Sequence, residues 1–222
     1  MSTKPTVYIA ENSLSCTDTE IELISRFVPQ YRIERAERYH RKSDRNNSII
    51  SYFLLAYGLL VNFGTESIPD VVYGRYGKPE FKDFPVNFSI SHSEVSVCCG
   101  ISEGGIGTDV QEMIDSYGDI IETVMSEGER KIIESTAGQS PDFTRFWTLK
   151  ECYLKYKGTG IGDNLPCTDF SGVSGNCFEY RGVFFRTQNS GNYFISACSE
   201  NETPVFVRKS IREYISGMGY YL

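Results

Sequence analysis

Trp147-Thr148-Leu149-Lys150-Glu151-Cys152-Tyr153-Leu154-Lys155, read together with Gly107-Thr108-Asp109-Val110-Gln111 upstream, decides how this chain is understood. The later stretch is helical and repeats a polar or aromatic group every fourth residue. Trp147, Glu151 and Lys155 therefore rise along one stripe. The earlier stretch alternates as a strand does, so Gly107, Asp109 and Gln111 project to one face and Thr108 and Val110 to the other. A carboxylate at a strand end, a second on a helix and a nearby lysine suit Mg2+-assisted chemistry on a phosphate ester.

Working outward, Val7 to Ala10 reads as an opening strand. Thr19 to Phe27 and a basic stretch to about His40 read as helices divided by Pro29. Ser43 or Asp44 is expected to cap a long helix whose Ile49, Ile50, Phe53, Leu54, Tyr57, Leu60 and Val61 form a broad apolar face. Strands follow at Val71 to Tyr73, around Val86 to Ile90, at Val95 to Ile101 and at Ile106 to Gln111. The second half resumes with helices near Asp119 to Met125, at Glu127 to Ser135 and at Pro141 to Lys157. Ser140-Pro141 starts the last of these and Gly158 stops it. Strands at Phe178 to Arg186, Tyr193 to Cys198 and Val205 to Arg208 precede a tyrosine-rich tail. Helices followed by a small antiparallel sheet in each half predict an α+β fold. Residues 1–105 and 106–222 are the expected subdomains, meeting near residues 102 to 108.

A chain of 222 residues, 40% hydrophobic, has ample material for a core. No apolar run is long enough to span a bilayer. Residues 1–12 lack a basic region followed by an apolar block, and the seven cysteines have no framework spacing. Free thiols in a reducing cytoplasm are the expectation. The net charge of −7 argues against nucleic-acid binding. Residues 26–45 depart from it, with seven basic side chains against three acidic ones. That segment reads either as a site for a small polyanion or as a solvated helix face with pairs such as Glu34–Arg38.

Each chemical reading has a plainer rival. Asp109 at a strand end is also a turn former or helix cap. Glu151 and Lys155 are also an i,i+4 surface pair worth a few tenths of a kcal/mol. His92, after Ser89-Ile90-Ser91, suits a phosphate but equally a backbone carbonyl. Other motifs fail: Gly158-Thr159-Gly160-Ile161-Gly162 follows a helix, lacks the Walker lysine and does not fit the dinucleotide fingerprint. There is no CxxC pair for zinc, no GxSxG elbow, and only two histidines, His40 and His92.

Taken together the segments resemble the Sfp-type 4′-phosphopantetheinyl transferases. Four blocks carry the resemblance in order: Tyr76-Gly77-Lys78-Pro79; Asn87-Phe88-Ser89-Ile90-Ser91-His92-Ser93; Gly105-Ile106-Gly107-Thr108-Asp109-Val110; and Phe146 to Glu151 with Lys155-Tyr156-Lys157-Gly158. Arg38-Tyr39-His40 and Ser43-Asp44-Arg45 form a fifth, weaker block. The resemblance implies a pseudo-dimer of two similar α+β halves with the active site between them. It implies transfer of phosphopantetheine from coenzyme A to a serine of an apo acyl, polyketide or peptidyl carrier protein, releasing 3′,5′-ADP. Asp109, Gln111 and Glu151 would face Mg2+ or Mn2+. Glu151 would deprotonate the serine and Lys155 assist the leaving phosphate. Ser91 and His92 would touch phosphate oxygens, Gly77, Lys78 and Pro79 line the nucleotide site, and Arg32 and Arg35 approach the 3′-phosphate. Asn47 and Lys150 are also expected at the coenzyme. Ile120, Ile121, Val124 and Met125 are candidates to meet the carrier, and a monomer is the simplest assembly.

Two positions depart from the family pattern. Gln111 stands where a third carboxylate is common and brings no charge to a metal. Asn47 stands where arginine is usual, so one phosphate contact is lost or passes to Arg45. These departures are what a non-catalytic coenzyme A or carrier-binding module would show. A phosphohydrolase using the same acidic pair is a third reading.

Overall fold

The computed structural model describes residues 3–11, 13–136, 141–160 and 165–219. Strand β1 (Thr6–Glu11) is followed by a 3-10 turn and helices α1 (Asp18–Ser25), α2 (Gln30–Ala36) and α3 (Lys42–Phe63). Strands β2 (Val71–Tyr73), β3 (Pro79–Phe81), β4 (Asn87–His92), β5 (Ser96–Ser102) and β6 (Ile106–Glu112) come next. Helices α4 (Ile120–Val124), α5 (Glu127–Ser135) and α6 (Asp142–Lys157) lead to β7 (Cys177–Tyr180), β8 (Val183–Asn189), β9 (Tyr193–Ser199), β10 (Val205–Lys209) and α7 (Ile211–Met218). The fold is α+β.

The first sheet runs β10-β1-β5-β4 and the second β6-β9-β8-β7, while β2 and β3 pair only with each other. The second sheet is antiparallel throughout; the first is antiparallel except that β10 lies parallel to β1. Residues 205–218, which the sequence assigns to the second half, thus lie with the first sheet, and Ile211, Tyr214 and Met218 of α7 join its core.

The alternation within β1, β5 and β9 builds the layers. Tyr8 and Ala10 of β1 and Cys99 and Ile101 of β5 face α3, whereas Val7, Ile9 and Cys98 face the second sheet. Ile195 and Ala197 of β9 meet them there with Ile106 and Val110, while Cys198 turns toward α6. Strands covered on both faces read as continuous apolar runs, and these do. The order is α3, first sheet, second sheet, α6. Gly58 lets α3 lie against the first sheet, since a Cβ there would stand 2.3 Å from Ile101 Cδ1.

Three local expectations change. Helix α3 begins at Lys42 after Arg41, with no side-chain cap, so neither Ser43 nor Asp44 caps it. The expected single strand over 178–186 is a hairpin. Arg181 and Gly182 adopt φ of +53° and +77°, the left-handed pair that a two-residue turn requires between Tyr180 and Val183. The tyrosine-rich tail contains α7, whose Ser210 and Glu213 form a reciprocal capping box. Ser140, the expected cap of α6, and residues 161 and 162 of the glycine-rich motif lie outside the described residues.

Candidate active site

Strand β4 ends where β6 and α6 converge. Ser89 and Ser91 share one face of β4, and both reach β6. The Ser89 hydroxyl accepts the Thr108 N–H at 3.0 Å, and the Ser91 hydroxyl donates to Asp109 Oδ1 at 2.8 Å. Lys155 Nζ donates to the same Asp109 oxygen at 2.7 Å and to Ser91 Oγ at 2.8 Å. These bonds join the first sheet, the second sheet and α6 at one carboxylate. Thr108 continues the junction inward, donating to the Ser196 carbonyl, while Thr148 and Ser196 share a hydroxyl contact of 2.8 Å.

Glycine makes the convergence sterically feasible. A Cβ on Gly107 would stand 1.9 Å from the Cys152 carbonyl oxygen and 2.6 Å from Tyr156 N. Both are backbone atoms of α6, so no rotamer change relieves the clash. Gly107→Ala is expected to push α6 off β6 and cost about 1–3 kcal/mol of stability. A thermal melt with a crystal structure of the variant would check both effects.

Asp109 is 5% exposed and Glu151 9%. Asp109 Oδ2 and Glu151 Oε1 are buried with no hydrogen-bond partner among the described residues. Burial first, and then the Asp109 charge, push the Glu151 carboxyl above its ordinary pKa. For Lys155, burial works against the charge, but the Asp109 charge and hydrogen bond outweigh it and hold the pKa high. Burial and the Lys155 charge hold the His92 imidazole below its usual value.

Two unpaired carboxylate oxygens in a poorly solvated site are costly as they stand. Their chemistry fits a hard divalent cation, which takes oxygen donors and cancels their mutual repulsion. Gln111, half-buried two residues beyond Asp109 on the same face of β6, carries a neutral amide oxygen. No three His, Cys, Asp or Glu side chains form a metal-holding group among the described residues.

Two cavities flank this cluster, and Gly77, Pro79, Ile90 and Lys155 border both. One, of about 400 Å3, is lined by Arg32, Arg35, Ser91 and His92. Arg32 lies 4.0 Å over the Tyr52 ring and donates to Ser48 Oγ at 3.1 Å; Arg35 donates to the Tyr73 hydroxyl at 3.1 Å. Ring stacking and a hydroxyl partner fix a guanidinium without neutralising it, leaving its charge for an anion. The other cavity, of about 260 Å3, is more apolar, with Phe88 and Leu154 beside Glu151 and Lys78.

The family model described as the 4′-phosphopantetheinyl transferase superfamily matches residues 105–206. The 4′-phosphopantetheinyl transferase gsp of Aneurinibacillus migulanus is 34% identical over 137 residues, covering 60% of this chain and 56% of that protein. The similarity to the 4′-phosphopantetheinyl transferase superfamily thus lies in residues 105–206. The Bacillus subtilis (strain 168) transferase Sfp is 26% identical over 157 residues, 68% of this chain and 69% of that protein. The L-aminoadipate-semialdehyde dehydrogenase-phosphopantetheinyl transferase of Candida glabrata is 31% identical over 146 residues, 61% of this chain and 55% of that protein. The match spans less than two thirds of the length of the gsp and Candida proteins.

Within the family pattern, Asp109, Glu151, Lys155, Ser91 and His92 meet at one place, and Arg32, Arg35, Gly77, Lys78 and Pro79 line the adjoining cavities. Lys150 and Asn47 do not. Lys150 is fully buried, pairs with Glu129 at 2.8 Å and donates to the Leu165 and Thr168 carbonyls. Those partners use all three ammonium protons, so none remains for a phosphate. Asn47, 2% exposed, donates its amide to the Ser93 carbonyl at 2.9 Å and lines neither cavity. Of the candidate docking residues, Val124 and Met125 are core, while Ile120 is exposed.

Ser89 and Glu129 were not singled out from sequence. Ser89 was legible in principle, because strand alternation puts it on the Ser91 face. Glu129 carried half a signal: Ser126-Glu127-Gly128-Glu129 reads as a capping box, and the box forms. Its second oxygen, which accepts the Phe170 N–H at 2.9 Å, depends on a partner 41 residues away.

Proposed function

We propose that this chain transfers the 4′-phosphopantetheine group of coenzyme A to a serine of an apo carrier protein, with Mg2+ bound by Asp109 and Glu151 and 3′,5′-ADP released. The observation that carries this reading is the meeting of Asp109, Glu151, Lys155 and Ser91 between an arginine-lined cavity and an apolar one. In this reading the two halves divide near residues 105 and 106 and the reaction takes place between them. Support comes from the bonds joining Ser89 and Ser91 of β4 to β6.

Arg32 and Arg35 take the nucleotide phosphates, and Phe88, Ile90 and Leu154 cover the pantetheine arm. Asp109 and Glu151 would hold Mg2+, which would supply charge withdrawal from the pyrophosphate oxygens. Glu151, with its raised pKa, accepts the proton of the carrier serine. The serine oxygen forms a bond to the phosphorus that bears the pantetheine arm, and the bond from that phosphorus to the ADP oxygen breaks. Lys155, held protonated by Asp109, stabilises the departing phosphate charge. Ser91 orients Asp109 and Lys155, and neutral His92 donates one N–H to a phosphate oxygen. Gln111 would offer a neutral oxygen to the metal, directly or through water.

The carrier class, Mg2+ over Mn2+, a cytoplasmic location and a monomeric state belong to the same proposal. Free cysteines support the location, and two four-stranded sheets packed within one chain support the monomer. No described helix is long and apolar enough to cross a membrane.

Intact-mass measurement of apo acyl, polyketide and peptidyl carrier proteins, incubated with coenzyme A and Mg2+, tests the proposal. A metal-dependent gain of one phosphopantetheine is expected, and EDTA should abolish it. No gain on any carrier, with coenzyme A still bound, would point to the non-catalytic module; ADP release without a carrier would point to a hydrolase.

The pH dependence follows from Glu151. Its carboxyl is raised, and only the ionised form binds metal or takes a proton. The rate should therefore fall with decreasing pH in a range above that of an ordinary glutamate. Because metal and proton compete, raising the Mg2+ concentration should move this acid limb to lower pH. Rate profiles at two Mg2+ concentrations check it; a limb that stays fixed would remove Glu151 from the metal.

A further inference from the structure

The β2–β3 hairpin has strands of three residues each that pair with no other strand among the described residues. Such a hairpin is marginal alone and depends on what anchors it. At its base Phe81 packs on Phe88, with ring centroids 4.6 Å apart, and along its side Tyr73 holds Arg35 of α2. Its tip has a third anchor. Lys78 Nζ crosses to α6 and donates to the Tyr156 carbonyl at 2.9 Å.

That carbonyl belongs to the last turn of α6, where helical acceptors lack an N–H partner four residues on. The negative end of the helix dipole lies there, and a lysine ammonium suits it in both charge and hydrogen bonding. Gly158 ends the helix in the left-handed region, at φ +67°, and the lysine stem passes close by: a Cβ at 158 would stand 3.1 Å from Lys78 Cδ. Tyr156 directly follows Lys155, and Gly77 and Pro79, on either side of Lys78, border both cavities.

We propose that Lys78 is a positioning residue which ties the hairpin tip to the catalytic helix and thereby fixes the wall between the nucleotide and pantetheine cavities; this rests on the coenzyme A reading above. The lysine acts through the placement of Gly77 and Pro79 rather than by touching a phosphate. The bond lies wholly within the chain, so its loss must show in the free protein as well as in the reaction.

Three proteins decide it: wild type, Lys78→Met, which keeps the stem and loses the donor, and Lys78→Arg, which keeps a cationic donor. Hydrogen exchange in the free protein is read at the hairpin amides of Gly74, Gly77 and Lys82, which donate to Lys78, Gly74 and Asp70. Coenzyme A affinity is read by calorimetry, and KM and kcat by carrier modification. Lys78→Met is expected to exchange these amides about tenfold faster, the loss of one charge-assisted bond. It should weaken coenzyme A binding and raise KM about tenfold, with a smaller change in kcat. Lys78→Arg should restore most of both. Unchanged exchange with weakened binding would overturn the tether and make Lys78 a direct ligand contact. Faster exchange with unchanged affinity would overturn the positioning role. If the wild type modifies no carrier, the proposed reaction fails, while exchange and calorimetry still decide the role of Lys78.

Discussion

Glu151→Gln is expected to lower transfer by about 10³-fold or more while making the metal-free protein more stable at neutral pH. On the roles proposed above, the activity loss would combine a lost metal ligand and a lost proton acceptor, each worth orders of magnitude. The stability gain has the opposite origin. The folded state raises the pKa of Glu151, through burial first and the Asp109 charge second. A carboxyl raised on folding is best tolerated protonated, so its favourable contribution is present at low pH and lost as pH rises through the folded value. At neutral pH the ionised Glu151 weakens the fold, and glutamine removes that cost, a gain of about 0.5–2 kcal/mol. The two melting curves should converge on acidification. Asp109→Asn should abolish transfer equally, yet with the reverse effect on stability. It strips the charge partner from Lys155 and costs about 1–3 kcal/mol. Melts of both variants in EDTA, set beside their transfer rates, separate chemistry from folding. If both substitutions destabilise alike and residual activity follows the folded fraction, the assigned roles fail.

How much of this was legible beforehand depends on the range of each interaction. Asp109 and Gly107 were placed on one face by strand alternation, and that face meets α6. Glu151 and Lys155 were placed on one stripe by helical spacing, and both reach the cluster. Local periods carry that much. The hairpin at Arg181 and Gly182 was hidden because arginine disguises a left-handed position that Asn or Asp would announce. Helix α7 was missed although Ser210 and Glu213 are the local signature of a capped start. The parallel pairing of β10 with β1 joins residues almost 200 positions apart, and no local pattern encodes it.

Lys150 shows the limit most clearly, because its position within the family block invites a functional role and its surroundings give it a structural one. It stands next to Glu151 on α6, but the helix turns adjacent side chains about 100° apart, so Lys150 enters the second core. There Lys150 and Glu129, both with fully buried side chains, pair at 2.8 Å. Glu129 also takes the Ser126 N–H at 2.8 Å and the Phe170 N–H at 2.9 Å, so one buried carboxylate joins the start of α5, helix α6 and the segment after residue 165. Ser126 binds Asp169 at 2.7 Å and closes the network. Removing one member of a buried, fully bonded pair leaves the other charged in a medium that cannot solvate it, a cost of about 3–5 kcal/mol. Lys150→Met should pay that cost although methionine fills nearly the same space. For a chain of this size it corresponds to a melting point lower by roughly 6–20 °C. Coenzyme A affinity of the folded fraction, measured below the transition, should stay within about twofold of wild type, because ammonium protons bound to Glu129 and two carbonyls have nothing to offer a phosphate. A variant that melts like wild type but binds coenzyme A tenfold more weakly would return Lys150 to the coenzyme. A much lower melting point with unchanged affinity would make this buried pair a determinant of how α5 and the segment from Leu165 to Phe170 pack behind the helix that presents Glu151 and Lys155.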